Sequence, residues 1–291
     1  MKIDSSYVGM TLKDYFTVID WRTMMNYAAA IDDDNPLYFD DEGGKEIIAP
    51  PMFAVAATWP IFERIWDYIE DDNFPRDILK TQVHYTEHLV FHRPVRPGDR
   101  LTVKGRVAAI IPHRAGTVFV LRFDALDSAK VPVFTEHIGG MMRGIQCIDS
   151  GRGAETIPSP PEFNTAAAPL WESTVHIDRM RPFVYDGCTH IYFPIHTSVG
   201  FARSVGLPDI ILQGTATLAY AAREITNREA GGDPNRLREI SCRFTDMVLP
   251  GSDIRVRLDG KEPRGTGHDL FFSVLNDRGR RALSGGYARI E

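Results

Sequence analysis

Two stretches of the chain, Met52 to Trp59 and Thr215 to Ile225, are apolar on nearly every side at helical spacing. Helices of that kind have no solvent face, so other protein must surround them. Each is followed by runs in which apolar and polar positions alternate or Val and Phe crowd together. These are Leu101 to Val107, Thr117 to Asp124 and Val131 to Ile138 after the first helix, and Ile240 to Thr245, Ile254 to Leu258 and Leu270 to Leu275 after the second. Turn-forming residues separate them, among them Asp127-Ser128-Ala129-Lys130 and Asn276-Asp277-Arg278-Gly279. The pattern predicts an α+β protein in which an antiparallel sheet curls about one central helix, twice over. Joining the two sheets edge to edge would remove one exposed edge from each.

Two short patterns support the duplication, because both occur twice and in the same order. Asn35-Pro36-Leu37-Tyr38 in front matches Phe193-Pro194-Ile195-His196 behind, each followed by an Ile-Ile pair (Ile47-Ile48; Ile210-Ile211). Arg96-Pro97-Gly98-Asp99 matches Leu249-Pro250-Gly251-Ser252, each opening a strand pattern. Pro36 and Pro97 are 61 residues apart and Pro194 and Pro250 are 56 apart, which fits one duplicated unit with a small length difference. Between the halves, Asp149 to Pro169 is rich in Gly, Pro, Ser, Thr and Ala and reads as an extended linker unable to bury a core. The expected division is 1–148, a linker over 149–169, and 170–291.

Composition narrows the partners. The 291 residues carry 33 Lys+Arg against 39 Asp+Glu, a net charge of −6, with 43% hydrophobic and 25% charged residues. An acidic balance without a basic block argues against nucleic acid or an anionic membrane as the main partner. Cys147, Cys188 and Cys242 are too few and too scattered for a disulfide framework or a zinc knuckle. The N-terminus lacks signal-peptide order and Met52 to Phe62 is too short to span a bilayer, so a cytoplasmic location is expected.

Taken together, Pro194-Ile195-His196 and Gly206-Leu207-Pro208-Asp209-Ile210-Ile211-Leu212-Gln213-Gly214-Thr215 resemble a known family. It is that of the MaoC-like (R)-specific enoyl-CoA hydratases and 3-hydroxyacyl-thioester dehydratases, often duplicated into a double hot dog. In that family an Asp-x-Asn-Pro-x-His segment precedes the central helix and a later Pro-Gly-Asp starts a strand. The resemblance implies reversible addition of water to C2=C3 of a 2-enoyl thioester of coenzyme A or acyl carrier protein. It implies no cofactor beyond the carrier within the substrate. An Asp and a His hold the water, and a backbone N–H at the helix start receives the oxyanion. Gly214 and Thr215 occupy that start.

The residues also depart from the family. In front, Asp33, Asn35 and Pro36 fit, but Tyr38 stands where the His belongs. Behind, Pro194 and His196 fit, but Phe193 replaces the Asn and Ile191 the Asp. The expected catalytic residue is therefore His196, with His190 or Asp186 as substitutes for the lost acid. The alternatives are a non-catalytic acyl-thioester-binding subunit or altered chemistry on the same fold. A homodimer is optional, because a double hot dog already contains a pseudo-dimer.

Other constellations read as structural. His84, His88 and His92 alternate with Val83, Tyr85, Leu89 and Phe91 and so lie on a strand, spanning roughly 26 Å, too far to share a metal ion. At most one of them lines a site. Asp32-Asp33-Asp34 with Asp40-Asp41-Glu42 reads as a solvated acidic loop, and no metal site is expected. The groups Arg93, Arg96, Arg100, Arg143 and Arg236, Arg238, Arg243, Arg280, Arg281 read as solvated strand ends, although a guanidinium cluster would suit coenzyme A phosphates. No dinucleotide fingerprint, Walker A loop or nucleophile elbow is present.

Overall fold

A computed structural model describes residues 1–163 and 168–291. The front half contains β1 (Lys2–Ile3), β2 (Tyr15–Val18), α1 (Trp21–Ala30), α2 (Pro36–Phe39), α3 (Phe53–Glu63) and α4 (Ile65–Tyr68). It continues with β3 (Gln82–Phe91), β4 (Arg100–His113), β5 (Gly116–Leu126), β6 (Pro132–Arg143) and β7 (Gln146–Cys147). The back half contains β8 (Trp171–Ile177), α5 (Arg181–Thr189), α6 (Val199–Ser204), α7 (Gly214–Glu229), β9 (Leu237–Phe244), β10 (Ser252–Arg264), β11 (Gly267–Leu275) and β12 (Arg281–Ile290).

Ten of the strands form one sheet in the order β2-β4-β5-β6-β3-β9-β12-β11-β10-β8. The order reads the same from either edge once each back strand is matched to its front counterpart, as a pseudo-twofold axis between β3 and β9 requires. Those two strands pair antiparallel, Glu87 opposite Cys242 and Leu89 opposite Ile240, so the halves do join edge to edge. Burial follows from this closure. Val55, Ile61, Ala216, Leu218 and Ile225 of the central helices are at most 1% exposed, and one apolar core runs through both halves.

Matched backbone hydrogen bonds fix the equivalence of the halves. Ile48 N–H donates to Leu37 O as Ile211 N–H donates to Ile195 O. Ala49 N–H donates to Val95 O as Leu212 N–H donates to Val248 O, and Gly98 N–H donates to Ile19 O as Gly251 N–H donates to Ile177 O. Gly98 and Gly251 share φ values of 81° and 80°, a left-handed turn that glycine adopts without cost. Asp32 and His190 are likewise equivalent, both left-handed, at φ 50° and 59°, just past the ends of α1 and α5.

The expected linker needs correcting. Its residues 164–167 lie outside the described residues, but its flanks are packed. Arg152 exchanges backbone hydrogen bonds with Ile110. Ile157 packs on Ala108, Ala109, Val118, Val120 and Met141. Phe163 stacks on Phe271, ring centroids 4.4 Å apart, over Gly260. Leu170 N–H then donates to Leu258 O. The stretch is polar and Gly-rich on average, yet Ile157 and Phe163 hold its described part, 149–163, against the sheet.

Gly153 shows how tightly. It has φ +85°, and a Cβ there would lie 2.1 Å from the Ala108 carbonyl oxygen. Gly153→Ala should therefore destabilise the fold by about 2 kcal/mol, read as a lowered melting temperature.

Candidate active site

The segment carrying His196 is pinned to the strand of chain that feeds α7. The short turn Pro194–His196 follows extended Phe193, and Ile211 binds it twice. The Ile211 N–H donates to Ile195 O at 3.3 Å, and its carbonyl accepts from His196 Nδ1–H at 2.8 Å. The second bond fixes the tautomer: with the proton on Nδ1, the lone pair is on Nε2. Burial pushes the imidazole down to about 4, so it is neutral at physiological pH. His196 is thus tied to Ile211, three residues before the start of α7.

That helix start is open. Gln213, the residue before α7, makes no side-chain cap; its Nε2 donates instead to Pro182 O. By contrast Asp20 caps α1 and Ser198 caps α6. The first-turn N–H groups of α7 therefore present the positive end of a 16-residue helix. Gly214 faces Phe244, whose Cδ1 is 2.9 Å from where a Cβ would lie. Thr215 is buried, and its Oγ1 accepts from Tyr185 OH at 3.1 Å, while Tyr185 OH is 3.1 Å from Tyr27 OH.

The proposed substitutes for the lost acid lie apart from this bond network. Asp186 is on α5 and His190 just past its end, exposed and stacked on Tyr192 at 5.7 Å. Burial and the nearby Glu63 raise the Asp186 carboxyl. Among the described residues no hydrogen bond or ion pair joins either residue to His196. Ile191, where the family's Asp would stand, is 1% exposed in the core, and Phe193 packs its ring at 6.4 Å from His196 and 6.2 Å from Phe201.

The front motif has become a clasp. Asn35 Oδ1 caps α2 by accepting from Leu37 N–H, and its Nδ2 donates to Gly232 O of the back half at 2.7 Å. Tyr38 is buried against Ala28 and Ile48. Asp33, expected in a solvated loop, is 5% exposed, accepting from the Asn35 N–H and lying near Arg223 of α7; burial raises its carboxyl to about 6. The neighbouring Asp32, Asp34, Asp41 and Glu42 stay exposed as expected, Asp32 paired with Arg181 at 2.7 Å. The matched backbone bonds also place Pro51 where the back half has Gly214. Proline has no N–H, so the front half lacks both the motif's histidine and the donor that Gly214 supplies behind.

Three residues at this junction carried only a weak sequence signal. A bulge in β3 between His84 and Thr86 turns His84 onto the inward face with Glu87, and their Nε2 and Oε2 are 3.1 Å apart. Glu136, diagonal to Glu87 on β6, is within hydrogen-bond reach of it, and both carboxyls are buried. His84 packs against Phe244 at 4.4 Å and Phe62 at 5.9 Å. His84 and His88 lie on β3 as expected and His92 just past its end, but only the bulge reveals that His84 faces inward. His88 instead bonds Glu239 at 2.8 Å and His92 bonds Thr135. Several of the arginines are paired locally, Arg93 with Asp99, Arg238 with Glu291 and Arg280 with Asp246. No group of three or more His, Cys, Asp or Glu among the described residues is arranged to hold a metal ion.

The buried Asp33 gives a pH-dependent stability. Its folded value, about 6, lies above the ordinary 3.8, so stability falls as pH rises through that window. Asp33→Asn should raise stability at pH 7 by up to about 3 kcal/mol and change little at pH 3.5, measured by denaturant unfolding at both pH values.

Comparison with known proteins follows the same division. Residues 164–268 match the model of the MaoC like domain and residues 6–135 that of the FAS1-like dehydratase domain region. A UPF0336 protein of Streptomyces avermitilis is 32% identical over 142 residues, 46% of this chain and 91% of that one. A probable enoyl-CoA hydratase 2 of Dictyostelium discoideum is 27% identical over 189 residues, 65% and 63%. In structure, the MaoC-like dehydratase from Phytophthora capsici superposes with a TM-score of 0.82 at 21% identity, covering 98% of this chain and 97% of that one. The peroxisomal multifunctional enzyme type 2 of Drosophila melanogaster gives 0.76 at 18%, covering 97% and 49%. No described helix is long and apolar enough to cross a membrane. With its double hot-dog fold and these matches, the chain belongs to the MaoC-like hydratase and dehydratase family.

Proposed function

We propose that the protein is a hydro-lyase that adds or removes water at C2–C3 of an acyl thioester, with one active site, in the back half. The observation that carries this reading is His196: a neutral imidazole whose tautomer is set by Ile211 O, beside an uncapped helix start. In hydration its Nε2 takes a proton from water as the oxygen bonds C3, while Gly214 and Thr215 N–H groups receive the developing charge on the thioester oxygen. Exposed Tyr192, Phe193, Val199 and Phe201 around the motif offer apolar surface to an acyl chain. The fatty acid synthase subunits among its relatives, such as that of Aspergillus oryzae, favour a fatty acyl group on coenzyme A or carrier protein. The reading requires no metal or redox cofactor and is compatible with a cytoplasmic protein, as a monomer or homodimer.

A panel of 2-enoyl-CoA esters, followed by loss of conjugated-thioester absorbance, tests it. Turnover on at least one ester is expected, falling on the order of 10²-fold or more in His196→Ala. If every ester turns over equally with wild type and variant, the assignment is wrong; affinity without turnover would identify a binding subunit instead. Because His196 is neutral down to about pH 4, kcat/KM should hold on acidification until pH approaches that value. An acid limb near 6.5 would contradict the enclosed geometry.

A further inference from the structure

We propose that His84, backed by Glu87 and Glu136, is a second acid–base residue of the active site, supplied by the front half and serving C2 of the bound thioester. This rests on the hydro-lyase reading and adds the partner that Ile191 removes from the back-half motif.

The argument begins with cost. Glu87 is 1% and Glu136 0% exposed, on a sheet face otherwise built from Leu89, Ile138 and Ile240. Burying an ionised carboxylate costs several kcal/mol unless donors surround it. Few donors do: the His88 backbone N–H near Glu87 and Thr58 Oγ1 near Glu136 make no hydrogen bond of ordinary geometry with the carboxyls, and Thr58 spends its proton on the Ala54 and Val55 carbonyls. Two ionised carboxylates have only acceptor atoms, so a pair within hydrogen-bond reach must hold at least one proton. The other titratable neighbours of Glu87, namely Tyr27, Tyr185 and Cys242, bring no positive charge that would release it. The burial cost applies to each carboxyl, so Glu87 and Glu136 each hold a proton at neutral pH.

His84 connects that acid to the helix start. Its Nε2 is 3.1 Å from Glu87 Oε2, and its ring packs on Phe244, which in turn packs on Gly214. In hydration, the water oxygen bonds C3 and its proton passes to His196. The C2=C3 electron pair moves to the thioester oxygen and returns through C2, which takes a proton from His84. That proton comes from the ring nitrogen otherwise held against the Thr86 backbone, while Nε2 takes the Glu87 proton. The new carboxylate shares the proton that remains on Glu136. The proton on His196 returns through solvent to the His84 ring nitrogen that lost one, as Nε2 hands its own back to Glu87, leaving only water added. His84 is the catalytic residue in this step; Glu87 and Glu136 position and charge it.

The test separates the two carbons. Wild type, His196→Ala, His84→Asn and Glu87→Gln are assayed for hydration of an enoyl-CoA. In D2O they are also assayed for deuterium uptake at C2 of the saturated acyl-CoA, which has no water to lose. Expected is loss of hydration in all three variants. C2 exchange should survive in His196→Ala and fall on the order of 10²-fold in His84→Asn and Glu87→Gln, with KM little changed. If both front-half variants exchange and hydrate like wild type, the proposal fails and the hydro-lyase reading stands. If wild type neither hydrates nor exchanges, both fail. If wild type exchanges without hydrating and Glu87→Gln abolishes exchange, the hydro-lyase reading fails and the assignment of His84 and Glu87 to C2 stands. Should Glu87→Gln not fold, infrared spectroscopy of wild type decides: a protonated-carboxyl carbonyl stretch at pH 7 is expected, and its absence overturns the proposal.

Discussion

The antiparallel pairing of β3 with β9 is the contact on which the rest of the molecule depends. It is a short seam, from Thr86 opposite Arg243 to Val90 opposite Glu239. It turns two five-stranded half-sheets into one, so that neither central helix is left with an open side. It also sets which front residues face which back residues. A slip of one position would turn Glu87 away from Cys242 and His84 away from Phe244, because alternate residues of a strand face opposite sides. The polar junction at the start of α7 exists only in this register.

Within that frame the halves have kept a backbone and exchanged its chemistry. The same three hydrogen bonds hold each motif to each helix, yet one motif presents His196 and an N–H at Gly214 while the other presents Tyr38 and Pro51. The front residues that once fitted a catalytic pattern now hold the halves together, with Asn35 reaching the Gly232 carbonyl. Arg181 and Arg223 do the same from the other side by donating to carbonyls at the end of α1. In the front copy the motif residues serve the contact between the halves.

Much of this was legible in the sequence for a simple reason. Helices apolar all round and paired Pro-Gly turns are local signals, and local signals survive duplication. The two helices, the six strand cores and the edge-to-edge sheet follow from them. What was not legible depends on contacts between distant residues. The bulge beside Thr86 decides that His84 faces inward, but a bulge leaves little trace in an alternating pattern. Asp33 looks like one of six acidic loop residues until the fold brings it against Asn35 and Arg223 of α7 and buries it. The linker composition suggests solvent exposure, and only the position of Ile157 and Phe163 over apolar strand residues reverses that. The Pro51 substitution was in plain view, but its meaning required the matched bonds that align it with Gly214.

The two tyrosines near the pseudo-twofold axis carry one more consequence. Tyr27 and Tyr185 are 158 residues apart, equivalent in the two halves, and their hydroxyls meet at 3.1 Å. Each hydroxyl has one proton. Tyr185 gives its proton to Thr215, so Tyr27 must give its own to Tyr185. The reverse orientation has no destination, because the front counterpart of Thr215 is Met52, whose thioether is a poor acceptor. A symmetric pair of side chains thus carries an arrow from front to back, and the dipoles along it add rather than cancel. The duplicated protein has a direction at its centre that two identical subunits could not have chosen.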